Sequence, residues 1–72
     1  MNKPNFNRIK AALAENHKTG KDLADHLGIH EQTVSSWSTN TKQPSIETLF
    51  NIASFLEIEA SDLLTKFKDF KK

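Results

Sequence analysis

Apolar residues recur along this chain at helical spacing, in five runs separated by polar or glycine-containing links. Phe6, Ile9, Ala12 and Leu13 share one face; Asn5 stands as their cap, and the pattern predicts a first helix running to about Asn16. Asn16-His17-Lys18 breaks the spacing. Thr19 then caps a second helix carrying Leu23, Ala24 and Leu27, and Asp22 three residues on gives a Thr-x-x-Asp arrangement close to a capping box. Beyond Gly28 and the apolar Ile29, Val34 and Trp37 resume the spacing in a third helix from about Glu31 to Thr39, with Asn40 suited to a left-handed stop. After a loop from Thr41 to Pro44, Ser45 caps a fourth helix bearing Ile46, Leu49, Phe50, Ile52, Ala53, Phe55 and Leu56. Glu57-Ile58-Glu59 links it to a fifth, beginning near Ala60 with Leu63 and Leu64. No strand pattern competes. The expectation is an all-α, five-helix bundle in a single domain, with its core at about residues 5–64. Met1 to Pro4 forms a short polar arm, and residues 65–72 extend helix five or fray. If the helix continues, Leu63, Phe67 and Phe70 form a stripe at i, i+4 and i+7 that covers the bundle or meets a second subunit.

The stretch from Thr19 to Trp37 organises the rest. Ala24 is small where the second and third helices must cross closely. Gly28 follows the last apolar position of helix two, where a left-handed backbone penalises a β-carbon. Val34 and Trp37 hold the inner face of helix three, and Trp37, the one tryptophan, reads as core. The other face shows Glu31, Gln32, Ser35 and Ser36, almost free of long charged chains. A helix held from behind, with short hydrogen-bonding side chains in front, suits base readout in a major groove.

These residues resemble the helix-turn-helix of the Cro and phage-repressor class, the Xre-type DNA-binding domains. The resemblance runs from about Phe6 to Leu64. Leu23-Ala24 matches the family's Leu-Ala pair, Leu27-Gly28-Ile29 its turn, and Thr33-Val34 its Thr-Val step. Gln43-Pro44-Ser45 matches its Pro-Ser approach to helix four, with Ile46, Leu49, Ile52, Ala53 and Leu56 in register. The resemblance implies a lambda-repressor-like domain that binds double-stranded DNA sequence-specifically and acts as a small transcriptional repressor. Family members pair, so a homodimer on a palindromic operator is expected, with half-sites about 34–36 Å apart. Base readout then falls to Glu31, Gln32, Ser35 and Ser36. Phosphate contacts fall to Thr19, Gly20 and Lys21 at the start of helix two, and to Thr33, Thr39, Thr41 and Lys42 around helix three. Four positions depart from the family: Gly20 replaces a frequent Gln, His30 a Ser or Thr cap, and Ser38 and Asn40 stand for Glu and Gly.

Several of these residues carry a second reading. Glu31 serves the helix dipole or accepts from a cytosine amino group. Gln32 can bind adenine bidentately, Ser36 can read a base or be solvated, and the Thr19 hydroxyl caps its helix while the exposed amides beside it can meet a phosphate. His26 and His30 are four apart, but Gly28 puts them on different elements and no third ligand has supporting spacing, so no metal or cofactor is expected.

Composition narrows the field. Seventy-two residues bury only about 60% of their unfolded surface, enough for a small helical core and too little for an enclosed pocket. No nucleophile, base and orienter share a pattern, so no enzymatic activity is expected. The absence of cysteine fits a reducing cytoplasm. MNKPNFNRIK has no apolar run of a signal peptide, and no stretch nears the roughly 18 apolar residues of a membrane span. With one domain, no small-molecule effector site is expected. The net charge is only +1; residues 1–44, which hold the motif, carry six basic and four acidic side chains, whereas residues 45–72 carry four and five. That small charge, with Phe67 and Phe70 among lysines, leaves a rival reading: a protein-interaction module or antitoxin-like subunit built on the same bundle. Salt dependence of DNA affinity separates the two.

Overall fold

Two short helices form around Gly28, which takes a left-handed backbone (φ +70°) and returns the chain across itself. They are α2 (Gly20–Leu27) and α3 (Glu31–Ser38), preceded by α1 (Ile9–Glu15) and followed by α4 (Ile46–Leu56). The computed structural model describes residues 4–70; Met1–Lys3 of the expected polar arm and Lys71 and Lys72 of the tail lie outside the described residues. Local chemistry fixes most helix ends. At α2, the Asp22 amide donates to the Thr19 hydroxyl (3.1 Å) and the Thr19 amide donates to the Asp22 carboxylate (2.9 Å), a reciprocal capping box. The Thr19 amide on the carboxylate, and after it the Thr19 hydroxyl close by, hold the Asp22 carboxyl below its ordinary pKa. Ser45 accepts from the Thr48 amide at the start of α4 (3.1 Å). His30 stands in N-cap geometry before α3, yet its side chain makes no capping bond.

The core is one cluster: Ile9, Ala12 and Leu13 of α1, Leu23 and Ala24 of α2, Val34 and Trp37 of α3, and Leu49, Ile52, Ala53 and Leu56 of α4, closed by Leu63. At its edge the His26 ring stacks on Phe55 with centroids 4.4 Å apart, and the Lys18 ammonium lies 5.5 Å from the same ring. This joins the link before α2, and the last turn of α2, to α4.

Among the described residues the bundle has four α-helices, not five. Ala60–Leu63 is one 3₁₀ turn, started by a Glu59–Asp62 capping box, and Phe67–Asp69 is another. Leu64 between them is extended (φ −99°, ψ 145°) and bridges antiparallel to Asn7. The Arg8 amide donates to the Leu63 carbonyl and the Thr65 amide to the Phe6 carbonyl, both at 2.9 Å. Those strand-like bonds satisfy the backbone that a fifth helix would have satisfied internally. The expected stripe therefore does not form. Leu63 is fully buried, Phe67 is 97% exposed, and the Phe70 ring packs on Phe6 with centroids 5.6 Å apart.

The same clasp corrects the first helix. Phe6 lies in the extended segment, and Asn5 is not the cap; α1 starts at Ile9, whose amide donates to Asn7 Oδ1 (3.0 Å). Asn7 is 4% exposed, the one buried polar side chain among the described residues.

Candidate nucleic-acid interface

Val34 and Trp37 are buried under α3, and their anchoring fixes which side of the helix looks outward. Glu31, Gln32, Thr33 and Ser35 are exposed there, with Ser36 half-buried. The result is a polar ridge with a shallow groove on each flank. On one side, a space of about 410 Å³ is lined by Glu31, Ser35 and Thr39 together with Gly20 and with Lys10 and Lys18 from around α1. On the other, a space of about 300 Å³ is lined by Gln32, Thr33, Ser36, Lys42 and Gln43 over Trp37. The four residues expected to read bases thus divide into two pairs, Glu31 with Ser35 and Gln32 with Ser36.

Hydrogen bonds settle what several of these groups can offer. The Ser36 hydroxyl donates to the Thr33 carbonyl (2.6 Å), so what it presents outward is its oxygen lone pairs. Thr39 donates back to the Ser35 and Ser36 carbonyls (3.2 and 3.3 Å), and its hydroxyl lies 2.8 Å from that of Thr41. The amides of Thr41 and Lys42 both turn inward to the Ser36 carbonyl, at 2.9 and 3.1 Å. Asn40, left-handed at φ +59°, makes that turn possible. Thr41 and Lys42 therefore show a ligand their side chains rather than their amides.

At α2, Thr19 is engaged in its capping box and Lys21 pairs with Asp25 across an exposed 3.4 Å gap. Gly20 is close to α3: a β-carbon there would lie 3.4 Å from Val34 Cγ1, ordinary contact distance. Of the expected phosphate-contacting residues, Gly20 and Thr39 share the first groove and Thr33 and Lys42 the second, whereas Thr19, Lys21 and Thr41 are in neither.

The sequence reading missed Lys10, an exposed cation on the first groove, and Gln43 on the second. It also missed the support beneath Gln43. Asn7 Nδ2 donates to Gln43 Oε1 (2.7 Å) and to the Trp37 carbonyl (3.0 Å), while Gln43 Nε2 donates to Asn40 Oδ1 (3.1 Å). The available signal was an Asn two residues before the first buried apolar position, the spacing of an Asn side chain that bonds the backbone two residues on.

A ridge of this kind, projecting from a Gly-turned helix pair within a four-helix core, defines a helix-turn-helix domain. The chain belongs to the helix-turn-helix family of Cro and phage-repressor (Xre) type, whose sequence pattern matches residues 9–63. It is similar to an uncharacterized HTH-type transcriptional regulator of Methanocaldococcus jannaschii, with 32% identity over 57 residues that span 79% of this chain and 86% of that protein. It is also similar, at 38% identity and a TM-score of 0.82, to a crystal structure of a Bacteroides fragilis protein to which DNA binding is ascribed. That match covers 83% of this chain and 97% of the other.

Proposed function

We propose that this chain binds double-stranded DNA sequence-specifically as a small transcriptional repressor, with α3 in the major groove. The observation that carries the reading is the polar ridge of α3, held from behind by two buried apolar residues and, Glu31 apart, free of long charged side chains. Gln32 and Glu31 address base edges from the first turn of the helix. Ser35 and Ser36 lie one turn further on, Ser36 as an acceptor. Lys42, Thr33, Thr39 and Thr41 meet phosphates around the ridge, with Thr19, Gly20 and Lys21 on the α2 side. Two copies on a palindrome complete the site. Principal extents of 30 × 24 × 22 Å let neighbouring copies touch only at their edges when centred about 34–36 Å apart. Phe67, beside the Phe6–Phe70 pair, is the apolar edge for that contact. Among the described residues no helix is long and apolar enough to cross a membrane, which is compatible with a cytoplasmic regulator.

The exposure of Phe67 and the net charge of +1 favour one rival, a protein-interaction module. Selecting bound duplexes from a random pool and titrating the winner at several salt concentrations decides between them. A regulator loses affinity steeply as salt rises, in proportion to the phosphates it neutralises. Two variants then test the mechanism by failing differently. Gln32→Ala should cost about 1–3 kcal/mol on the selected duplex and relax preference at one base pair, leaving non-specific affinity intact. Lys42→Ala should weaken all duplexes alike and make the salt slope shallower by about one unit. If Gln32→Ala weakens selected and scrambled duplexes equally, or neither, α3 does not read bases through that residue.

A further inference from the structure

Gln43 is an exposed residue whose side chain is nonetheless fixed. Its carbonyl oxygen accepts from the buried Asn7 and its amide nitrogen donates to Asn40, so both ends of the amide are tethered. Asn7 is in turn saturated. Its side-chain nitrogen uses both hydrogens on Trp37 and Gln43, and its side-chain oxygen accepts from Ile9. Its backbone amide donates to Asn40 Oδ1 (3.0 Å), and its carbonyl accepts from Asn40 Nδ2 (3.1 Å). One chain of amides thus runs from the N-terminal segment, past the end of α3, to the loop beyond it. An amide nitrogen carries two hydrogens, and Gln43 spends one on Asn40. The other is left over, and Gln43 lines a groove together with Gln32, Ser36 and Lys42.

An exposed glutamine normally loses rotamer freedom when it binds. Gln43 has given that freedom up already, and tethering of this kind favours a ligand that meets the group in one fixed direction. The partner must accept a hydrogen bond, because what remains is a donor. Lys42 beside it adds a positive charge, which favours an anionic acceptor.

We infer that the remaining amide N–H of Gln43 donates to a DNA phosphate, and that Asn7 and Asn40 are positioning residues that aim it. The inference rests on the DNA-binding reading above. It assigns the loop a neutral, directional phosphate contact beside the charged one expected of Lys42, and it makes a buried residue of the N-terminal segment part of the register on DNA.

The test uses the full chain and the duplex selected from the random pool, with single phosphates of each half-site replaced in turn by uncharged methylphosphonate. Wild type should lose affinity by about tenfold at each contacted linkage, the range of a charge-assisted hydrogen bond. Gln43→Ala should be indifferent to replacement at one linkage that weakens wild type, while keeping wild-type base preference and sensitivity at the other linkages. Asn7→Ala should be blunted at that same linkage. Asn40→Gly does not depend on Asn7→Ala folding: glycine accepts the left-handed backbone at this position, so the turn survives while the tether on the Gln43 amide nitrogen is lost and the one from Asn7 stays. It should be blunted at that linkage too. Undiminished sensitivity of Gln43→Ala at every linkage overturns the inference, as does a changed base preference, which would make Gln43 a base reader. Full sensitivity in folded Asn7→Ala or in Asn40→Gly overturns the positioning roles. If wild type binds no duplex, the DNA reading itself falls and this inference with it; if wild type binds and only the Gln43 result is negative, the DNA reading stands.

Discussion

Asp22 shows how much a single exposed side chain can contribute when the backbone needs it. Its carboxylate receives the Thr19 amide while the Thr19 hydroxyl receives the Asp22 amide, so two donors at the start of α2 that no helical carbonyl can reach are satisfied. The Thr19 amide, and after it the Thr19 hydroxyl, lower the folded pKa of the carboxyl from the usual 3.8. A lowered folded pKa means stability that is present above the unfolded value and is lost as the pH falls through the folded one. The thermal midpoint of wild type should therefore exceed that of Asp22→Asn near neutral pH, and the gap should close as the pH is taken below about 3.8. Melting both proteins from pH 7 to pH 2 measures it; a gap that stays constant throughout would mean the charged form contributes nothing. The capping box was legible in the sequence because Thr-x-x-Asp is a local pattern. Asn7 was not. Its partners Trp37, Asn40 and Gln43 lie at least 30 residues away, and only the closed fold brings them within hydrogen-bond reach.

Among the elements, the α2–α3 pair was read correctly to within a residue, because its determinants are few and local. They are a left-handed Gly28, a cap on α2, and apolar residues on one face of each helix. Ala24 is 2% exposed in the core between them. Ala24→Leu should cost about 1–3 kcal/mol through overpacking, and in a domain this small each kcal/mol lowers the melting temperature by about 4–8 °C. Thermal denaturation followed by circular dichroism is the check, and near-wild-type melting would place the helix crossing elsewhere. The C-terminal element was misread for the opposite reason. Leu63, Phe67 and Phe70 have helical spacing, but spacing is informative only where a surface lies beneath it. Leu63 has that surface in the core; Phe67 has none. The chain gains more by extending at Leu64 and pairing with Asn7, a choice set by a residue 57 positions earlier. The candidate interface divides in the same way: the α3 face was visible from periodicity, whereas its partition into two grooves, and the places of Lys10 and Gln43 on them, follow from how α1 and the loop pack around it.

For the whole molecule, the tail beyond Thr65 is the part that the core needs least. Removing it forfeits the Phe6–Phe70 ring contact, the bond from Asn5 to the Asp69 carbonyl, and an exposed 4.0 Å pairing of Lys66 with Asp62, but leaves the Asn7–Leu64 bridge and the helical core in place. Truncation after Thr65 should leave the helix-turn-helix folded and shift sedimentation toward the monomer; an unchanged oligomeric state would assign the tail to packing within one chain. The bridge itself has a mechanical consequence. Residues 6–8 and 63–65 run antiparallel, so the chain leaves the paired region at Phe6 and at Thr65 from the same side. Tension between the two ends therefore loads these bonds one after another, as in opening a zipper, instead of all at once in shear. In a single-molecule stretching experiment the clasp should open first and at low force, ahead of the helical core. Because Asn7 lies within it, the first part of the protein to yield under load would be the support of the loop that follows α3.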